Sequence, residues 1–288
     1  MLFEDVVPVS TDPEVALFVA HSACPADRTL LVIHGGPDWD HTYLREPLVE
    51  LAGTHRLVMP DLRGCGRSSR GLPDDQYTPD AVVGDLLALL DALGVERADV
   101  LGFSYGGLIA QRLTLAAPDR IRSLVVASSS VLPVPADAFD GWAERDERRA
   151  ASADVWSDAE LSGPALSRAA AIASAPADVW QEQALPGYLR RLEAVRFSAE
   201  WLRPWRAGTL PSPRQANAAE RLAALDIPML LLHGRQDMTF PAALVDQTLG
   251  LIPAARAVVL DQAGHMAHVD QPREWLAAVR EFMSRKTS

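Results

Sequence analysis

With 288 residues, 48% of them hydrophobic, the chain can bury a substantial core and sits near the upper end of what one domain holds. A formal net charge of −11 disfavours partners that carry phosphate, so neither a nucleic acid nor an anionic membrane surface is expected. Lys286 is the only lysine, which leaves Schiff-base chemistry little room, and the cysteines, Cys24 and Cys65, make neither a disulfide framework nor a metal-ligand spacing.

The N-terminal stretch MLFEDVVPVS is acidic and lacks both a basic region and a long apolar core, and no later apolar run approaches membrane-spanning length. The expectation is a soluble cytoplasmic protein. Leu2 to Val9 and Val15 to His21 read as an antiparallel pair of strands. Short apolar runs then alternate with helical patterns, as repeated βα units feeding a parallel sheet would. The runs are Thr29 to His34, His55 to Pro60, Ala98 to Phe103, Ser123 to Ala127, Met229 to His233 and Ala257 to Leu260. Being apolar without alternation, they suit strands covered on both faces. Thr78 to Leu93 and Leu108 to Ala117 carry helical spacing, and Pro272 opens a C-terminal helix.

The alternation breaks between Val131 and Pro213, a stretch with helix-like runs, no convincing strand and proline-rich flanks. The predicted organisation is a first core part over 1–131, a helical cap over 132–213 and a second core part over 214–288. Five of the seven tryptophans fall in the cap: Trp142, Trp156, Trp180, Trp201 and Trp205. They suggest either a large apolar underside or rings that seat the cap on the core.

Directly after the run Ala98 to Leu101 comes Gly102-Phe103-Ser104-Tyr105-Gly106-Gly107. A serine between glycines at a strand-to-helix turn is pushed out at the carboxyl edge of the sheet, and the turn aims the Tyr105 N–H toward an anion. Ser104 is therefore the candidate nucleophile. It needs a base, an acid to orient that base, and donors for an oxyanion.

His34-Gly35-Gly36-Pro37 ends another strand, where bare backbone can approach a substrate carbonyl; Gly36 and Tyr105 are the candidate oxyanion donors. Of the seven histidines, His265 follows the last strand and directly follows a glycine, with His268 as its rival. His34 and His233 sit at strand ends, where they suit hydrogen bonds to loop backbone. Asp237 ends Leu231 to Asp237, again a strand running into a loop, and is preferred as the orienting acid over Asp226 and Asp246. The chain order serine, acid, histidine suits one fold among those that use this triad. The elbow serine disfavours dehalogenase and epoxide-hydrolase chemistry, which require a carboxylate nucleophile.

On these motifs the sequence resembles the α/β-hydrolase superfamily, and the HGGP and GFSYGG segments together look like its proline iminopeptidase branch. Asp61 to Ser68 is similar to the glycine-rich segment these enzymes carry, with Asp61 and Arg63 read as structural. The resemblance implies an α/β-hydrolase fold, a mostly parallel central sheet flanked by helices with an inserted helical cap. It implies acyl-enzyme hydrolysis without metal or cofactor, and acidic cap residues that bind a substrate ammonium. Glu182, Glu193 and Glu200 are the candidates for that role, although the segment from Pro133 to Leu210 holds 12 acids against 9 arginines and is not conspicuously acidic.

Met238 stands where some iminopeptidases have a glutamate, and Asp38 stands where many have a glycine. The expected substrate is a small molecule or short peptide, and the oligomeric state is left open. Three activities follow. The leading expectation is release of a small N-terminal aminoacyl group from a peptide or a bulky apolar amine; the others are hydrolysis of a carboxylester or lactone, and ligand reception on the same fold without catalysis.

Overall fold

The apolar runs become strands of one eight-stranded sheet with the order β1-β2-β4-β3-β5-β6-β7-β8. The strands are β1 (Leu2–Thr11), β2 (Glu14–Ser22), β3 (Thr29–Ile33), β4 (Arg56–Pro60), β5 (Ala98–Phe103), β6 (Ile121–Ala127), β7 (Met229–Gly234) and β8 (Ala255–Leu260). The computed structural model describes residues 1–23 and 28–285, so Cys24 and Lys286 lie outside the described residues. β1 pairs antiparallel with β2, and β2 antiparallel with β4. From β4 through β3, β5, β6 and β7 to β8 every pairing is parallel.

The helices are α1 (Arg45–Leu48), α2 (Pro79–Ala92), α3 (Tyr105–Ala116), α4 (Ala143–Ser157), α5 (Gly163–Asp178), α6 (Leu185–Ala194), α7 (Leu202–Arg206), α8 (Ala218–Ala223), α9 (Ala243–Leu251), α10 (Ala267–Asp270) and α11 (Pro272–Ser284). Helices cover both faces of the sheet, so the central strands have no solvent side and need no polar alternation. In β3 the residues divide by their twofold period: Leu31 and Ile33 join the core under α2 and α3, while Leu30 and Val32 join the core that holds Trp275 and Val279 of α11. α2 starts where the sequence signals it: Thr78 caps it by accepting a hydrogen bond from the Ala81 N–H at 3.1 Å, with Pro79 in the first turn.

Three strand boundaries differ from the sequence reading by two residues, and several others by one. α3 begins at Tyr105, directly after Ser104 as the strand-to-helix turn requires, whereas β1 runs on to Thr11 rather than stopping at Val9. β6 and β8 each begin two residues early, at Ile121 and Ala255. α8 and α9 are helices that the sequence reading did not pick out.

The parallel strands place all their carboxyl ends at one edge, and the loops after β3, β5, β7 and β8 converge there. Between β6 and β7 the chain forms no strand and carries α4 to α8. This excursion is tied to the loops of that edge by side chains. Asp270 accepts from the backbone N–H groups of Trp180 and Gln181 at 2.8 and 3.0 Å, and the Arg145 Nε–H donates to the Met238 carbonyl at 3.0 Å. Among the described residues no helix is long and apolar enough to cross a membrane.

Candidate active site

Ser104 occupies the turn between β5 and α3 with φ 54° and ψ −119°, a conformation L-residues rarely adopt. Such backbone costs on the order of 1–3 kcal/mol and persists only where the surroundings enforce it. Here the enforcement comes from two close approaches. A Cβ on Gly102 would stand 2.3 Å from the Gly106 carbonyl oxygen, and one on Gly106 would stand 2.1 Å from that of Ile33. Glycine at both positions lets α3 start against the sheet without a gap, while the Ser104 N–H is fixed by the Ala127 carbonyl at 2.9 Å. The result is a hydroxyl held at the sheet edge.

His265 meets it. Its Nε2 lies 3.0 Å from Ser104 Oγ, and its Nδ1 lies 3.0 Å from Asp237 Oδ2. Asp237 follows β7 and is 1% exposed, and its other oxygen, Oδ1, accepts from the N–H groups of Thr239 and Phe240 at 2.7 and 2.9 Å. With Oδ1 occupied by backbone, Oδ2 is aimed at the imidazole. Burial works against the imidazolium, but the neighbouring Asp237 carboxylate prevails and holds the His265 pKa above the ordinary imidazole value. Burial likewise raises the cost of the Asp237 charge, yet His265 and the donors around it bring the Asp237 pKa below the usual carboxylate value. A carboxylate that stays ionised, an imidazole that gains a proton readily and a hydroxyl 3.0 Å away are what proton abstraction from an alcohol requires.

Gly36 and Tyr105 line the same cavity as Ser104. Tyr105 is the first residue of α3, where an N–H has no intrahelical partner. Among the described residues neither the Gly36 nor the Tyr105 N–H has a protein acceptor, whereas the Gly35 N–H is taken by the Tyr43 hydroxyl oxygen at 2.8 Å. Two free donors beside the Ser104 hydroxyl can hold an oxyanion.

None of the other histidines hydrogen-bonds Ser104, although His233 Nε2 lies 3.4 Å from Asp237 Oδ2. His34 Nε2 accepts from the Leu62 N–H at 3.0 Å, and its Nδ1 lies 2.6 Å from the Gly35 carbonyl oxygen. His233 Nε2 lies 2.8 Å from the Phe240 carbonyl oxygen. The rival base, His268, is completely buried against Phe103, Tyr43 and Trp275, and burial drives its pKa well below the imidazole value. No hydrogen bond joins it to Ser104 Oγ, which His265 meets instead. Asp61 is engaged by the His41 ring at 2.5 Å and the Arg67 N–H at 2.8 Å, and Arg63 makes a two-pronged pair with Asp85 at 2.6 Å.

The glutamates expected to hold an ammonium do not reach the cavity. Glu182 and Glu193 are exposed, because the helical turns that carry them point them to solvent. Glu200 instead clamps the segment around Gly71: its Oε2 accepts from the Tyr77 hydroxyl at 2.6 Å, the Gly71 N–H at 3.0 Å and Arg203 at 3.1 Å. Apart from the tryptophans, most of the residues from the excursion between β6 and β7 that line the cavity went unread in the sequence. They fall on two helix faces: Arg149, Ser152 and Trp156 on α4, and Ser167, Ala171, Ser174 and Asp178 on α5. Their spacings of three, four and seven residues are the signal that could have found them. Trp201, buried, and Trp205, exposed, also line it, so part of the tryptophan cluster faces the cavity; Trp142 and Trp180 do not.

Asp38 joins the excursion between β6 and β7 to the loop after β3. Its carboxylate accepts from the Ser198 hydroxyl at 2.9 Å, the Trp201 N–H at 3.1 Å and the Leu202 N–H at 3.0 Å. The cavity so enclosed holds about 610 Å³, within the range of small-molecule sites. Among the described residues no three His, Cys, Asp or Glu side chains come together as a metal-ligand set.

Residues 28–272 match the model of the alpha/beta hydrolase fold. The chain belongs to the α/β-hydrolase family. Among its relatives, the 2-hydroxymuconate semialdehyde hydrolase of Pseudomonas sp. strain CF600 is 29% identical over 270 residues, covering 88% of this chain and 86% of that one. Rhodomycin D methylesterase of Streptomyces peucetius is 30% identical over 275 residues, covering 88% and 90%. Among solved structures, a proline iminopeptidase-related protein of Thermus thermophilus superposes with a TM-score of 0.74 at 25% identity, covering 99% and 98%. The relatives of this α/β-hydrolase include hydrolases of several kinds and a protein named as a synthase, which supports an enzyme and leaves the substrate to be argued from the site.

Proposed function

We propose that this α/β-hydrolase is a serine hydrolase that cleaves carboxylic esters through an acyl-enzyme. The observation that carries the reading is the continuous line from Asp237 through His265 to Ser104, with both separations 3.0 Å. His265 takes the proton of Ser104 as the oxygen attacks the ester carbonyl, and the carbonyl oxygen becomes an oxyanion held by the N–H groups of Gly36 and Tyr105. Collapse expels the alcohol, which leaves with the proton from His265. Water then attacks the acyl-enzyme by the same route, and the acid departs from Ser104. Asp237 remains ionised throughout and stabilises the imidazolium.

α4 to α7 serve as the lid of this site. They line the cavity with two helix faces and are tied to the core at Asp38, Met238 and Asp270. The ester reading is favoured over the aminopeptidase reading by the placement of Glu182, Glu193 and Glu200 away from the cavity. One observation favours the aminopeptidase as a second reading: Asp178 lines the cavity and could meet an ammonium. Burial raises the pKa of that carboxyl, and it already accepts from the hydroxyls of Ser174 and Tyr188 at 3.0 and 3.3 Å, which makes it a weak ammonium ligand.

Parallel turnover of short acyl aryl esters and of proline and alanine arylamides separates the two. The ester reading predicts ester cleavage with arylamide cleavage at least about a hundredfold less efficient, the scale of a discrimination of about 2.7 kcal/mol. Arylamide turnover equal to or above that of the esters would overturn it in favour of the aminopeptidase.

A further inference from the structure

Four charged or chargeable groups other than phenols line the cavity: Asp38, Arg149, Asp178 and His265. Three of them are answered by the protein. Asp38 is met by Ser198, Trp201 and Leu202, Asp178 by Ser174 and Tyr188, and His265 by Asp237 and Ser104.

Arg149 is different. Among the described residues it has neither a hydrogen-bond partner nor an ion pair, although it is half-buried. Its neighbours on α4 are both tied down: Arg145 donates to the Met238 carbonyl at 3.0 Å, and Arg148 meets Glu144 at 2.7 Å and the Val179 carbonyl at 3.2 Å. A half-desolvated guanidinium with five donors and no acceptor is a costly thing to leave at a cavity wall unless an acceptor arrives with the ligand.

We infer that Arg149 binds a carboxylate carried by the substrate, so that the natural substrates are esters whose acyl or alcohol part bears a second, acidic group. The inference rests on the serine-hydrolase reading. The planar fork of an arginine matches a carboxylate through two parallel hydrogen bonds. The Ser152 hydroxyl, three residues on along the same face of α4, lines the cavity beside it and offers a further donor. A phosphate fits less well, because its second negative charge would have one cation to face and the Asp178 carboxyl lining the same cavity.

The rest of the lining suits the carbon chain between the two groups: Trp39, Phe103, Ala171, Leu202 and Met266 are apolar. The charge of Arg149 is also felt at the reacting centre, since it opposes protonation of His265 and favours ionisation of Asp178.

The test compares two aryl monoesters of equal chain length, the p-nitrophenyl monoester of glutaric acid and p-nitrophenyl pentanoate, on the wild-type protein and on Arg149→Gln and Arg149→Lys. The measured quantity is the ratio of kcat/KM for the acid over the neutral ester. The inference predicts that Arg149→Gln lowers this ratio roughly ten- to hundredfold, the range spanned by hydrogen bonds to charged groups, mainly through KM, with Arg149→Lys between it and the wild type. An unchanged ratio, or a loss of equal size on both esters, overturns it.

A binding arm keeps the question apart from catalysis. Calorimetry with glutarate on the Ser104→Ala protein, with and without Arg149→Gln, should show heat that requires Arg149. If neither ester is turned over, the hydrolase reading fails and the calorimetry alone decides: Arg149-dependent binding sustains the carboxylate site, and binding that is absent or independent of Arg149 overturns it.

Discussion

Asp237→Asn probes the orienting acid with little disturbance of the fold. In the wild type, Oδ1 takes the N–H groups of Thr239 and Phe240, and Oδ2 takes the imidazole of His265. An asparagine can keep its oxygen on the two backbone donors, which leaves its NH2 where Oδ2 was. That group donates to His265 Nδ1 and so forces the ring proton onto Nε2, the atom 3.0 Å from Ser104 Oγ. A protonated Nε2 cannot accept the serine proton, so the loss is one of tautomer and not of shape. Loss of this kind lowers kcat by about 10⁴ in serine enzymes built on the same triad, or about 5.4 kcal/mol of barrier.

The assay is steady-state hydrolysis of a short p-nitrophenyl ester, with thermal unfolding run in parallel. The account predicts a fall in kcat of about four decades, with KM changed by less than about threefold because no substrate contact is removed. A protein that unfolds at the wild-type temperature and keeps kcat within about tenfold would refute the role of Asp237, since the tautomer argument leaves no room for so small an effect.

The pH profile supplies an independent check. His265 must be neutral to act as base, and Asp237 holds its pKa above the ordinary value of about 6.5, so kcat/KM should be full at alkaline pH and fall below a midpoint lying above that value. A profile flat down to about pH 5 removes the imidazole from the reaction. Asp38→Asn tests the tie between lid and oxyanion loop: the new amide nitrogen would face the Leu202 N–H now accepted at 3.0 Å, two donors with no acceptor between them. The expected cost is about 1–3 kcal/mol, seen as a Tm lower by a few degrees together with a drop in kcat/KM for esters. An unchanged Tm would show that the carboxylate does not hold the lid.

The strand pattern was legible because the sheet is covered on both faces, so six parallel strands stand out as uninterrupted apolar runs. The three residues at the sheet edge were legible for a related reason. Ser104 follows β5 directly, while Asp237 and His265 sit in the loops after β7 and β8, and each is marked by glycine or loop residues beside it. Gly106 was legible as part of the turn, but the close approach that requires it, the Ile33 carbonyl 2.1 Å from its missing Cβ, lies on another strand and is set by the sheet. The lid was harder still. Whether Glu200 faces substrate or clamps Tyr77 depends on a partner 123 residues away, which no local pattern encodes. Arg149 and Asp178 are likewise set by how α4 and α5 lean over the sheet, and their sequence surroundings are those of any amphipathic helix.

The most direct measurement is covalent labelling with a fluorophosphonate, read by intact mass and by peptide mapping. The account predicts one adduct per chain, located at Ser104, lost in Ser104→Ala and slowed strongly in His265→Ala, with ester hydrolysis falling in step with label uptake. A folded protein that takes no label, or takes it at another residue while ester turnover persists, would contradict the central claim that this hydroxyl is the nucleophile.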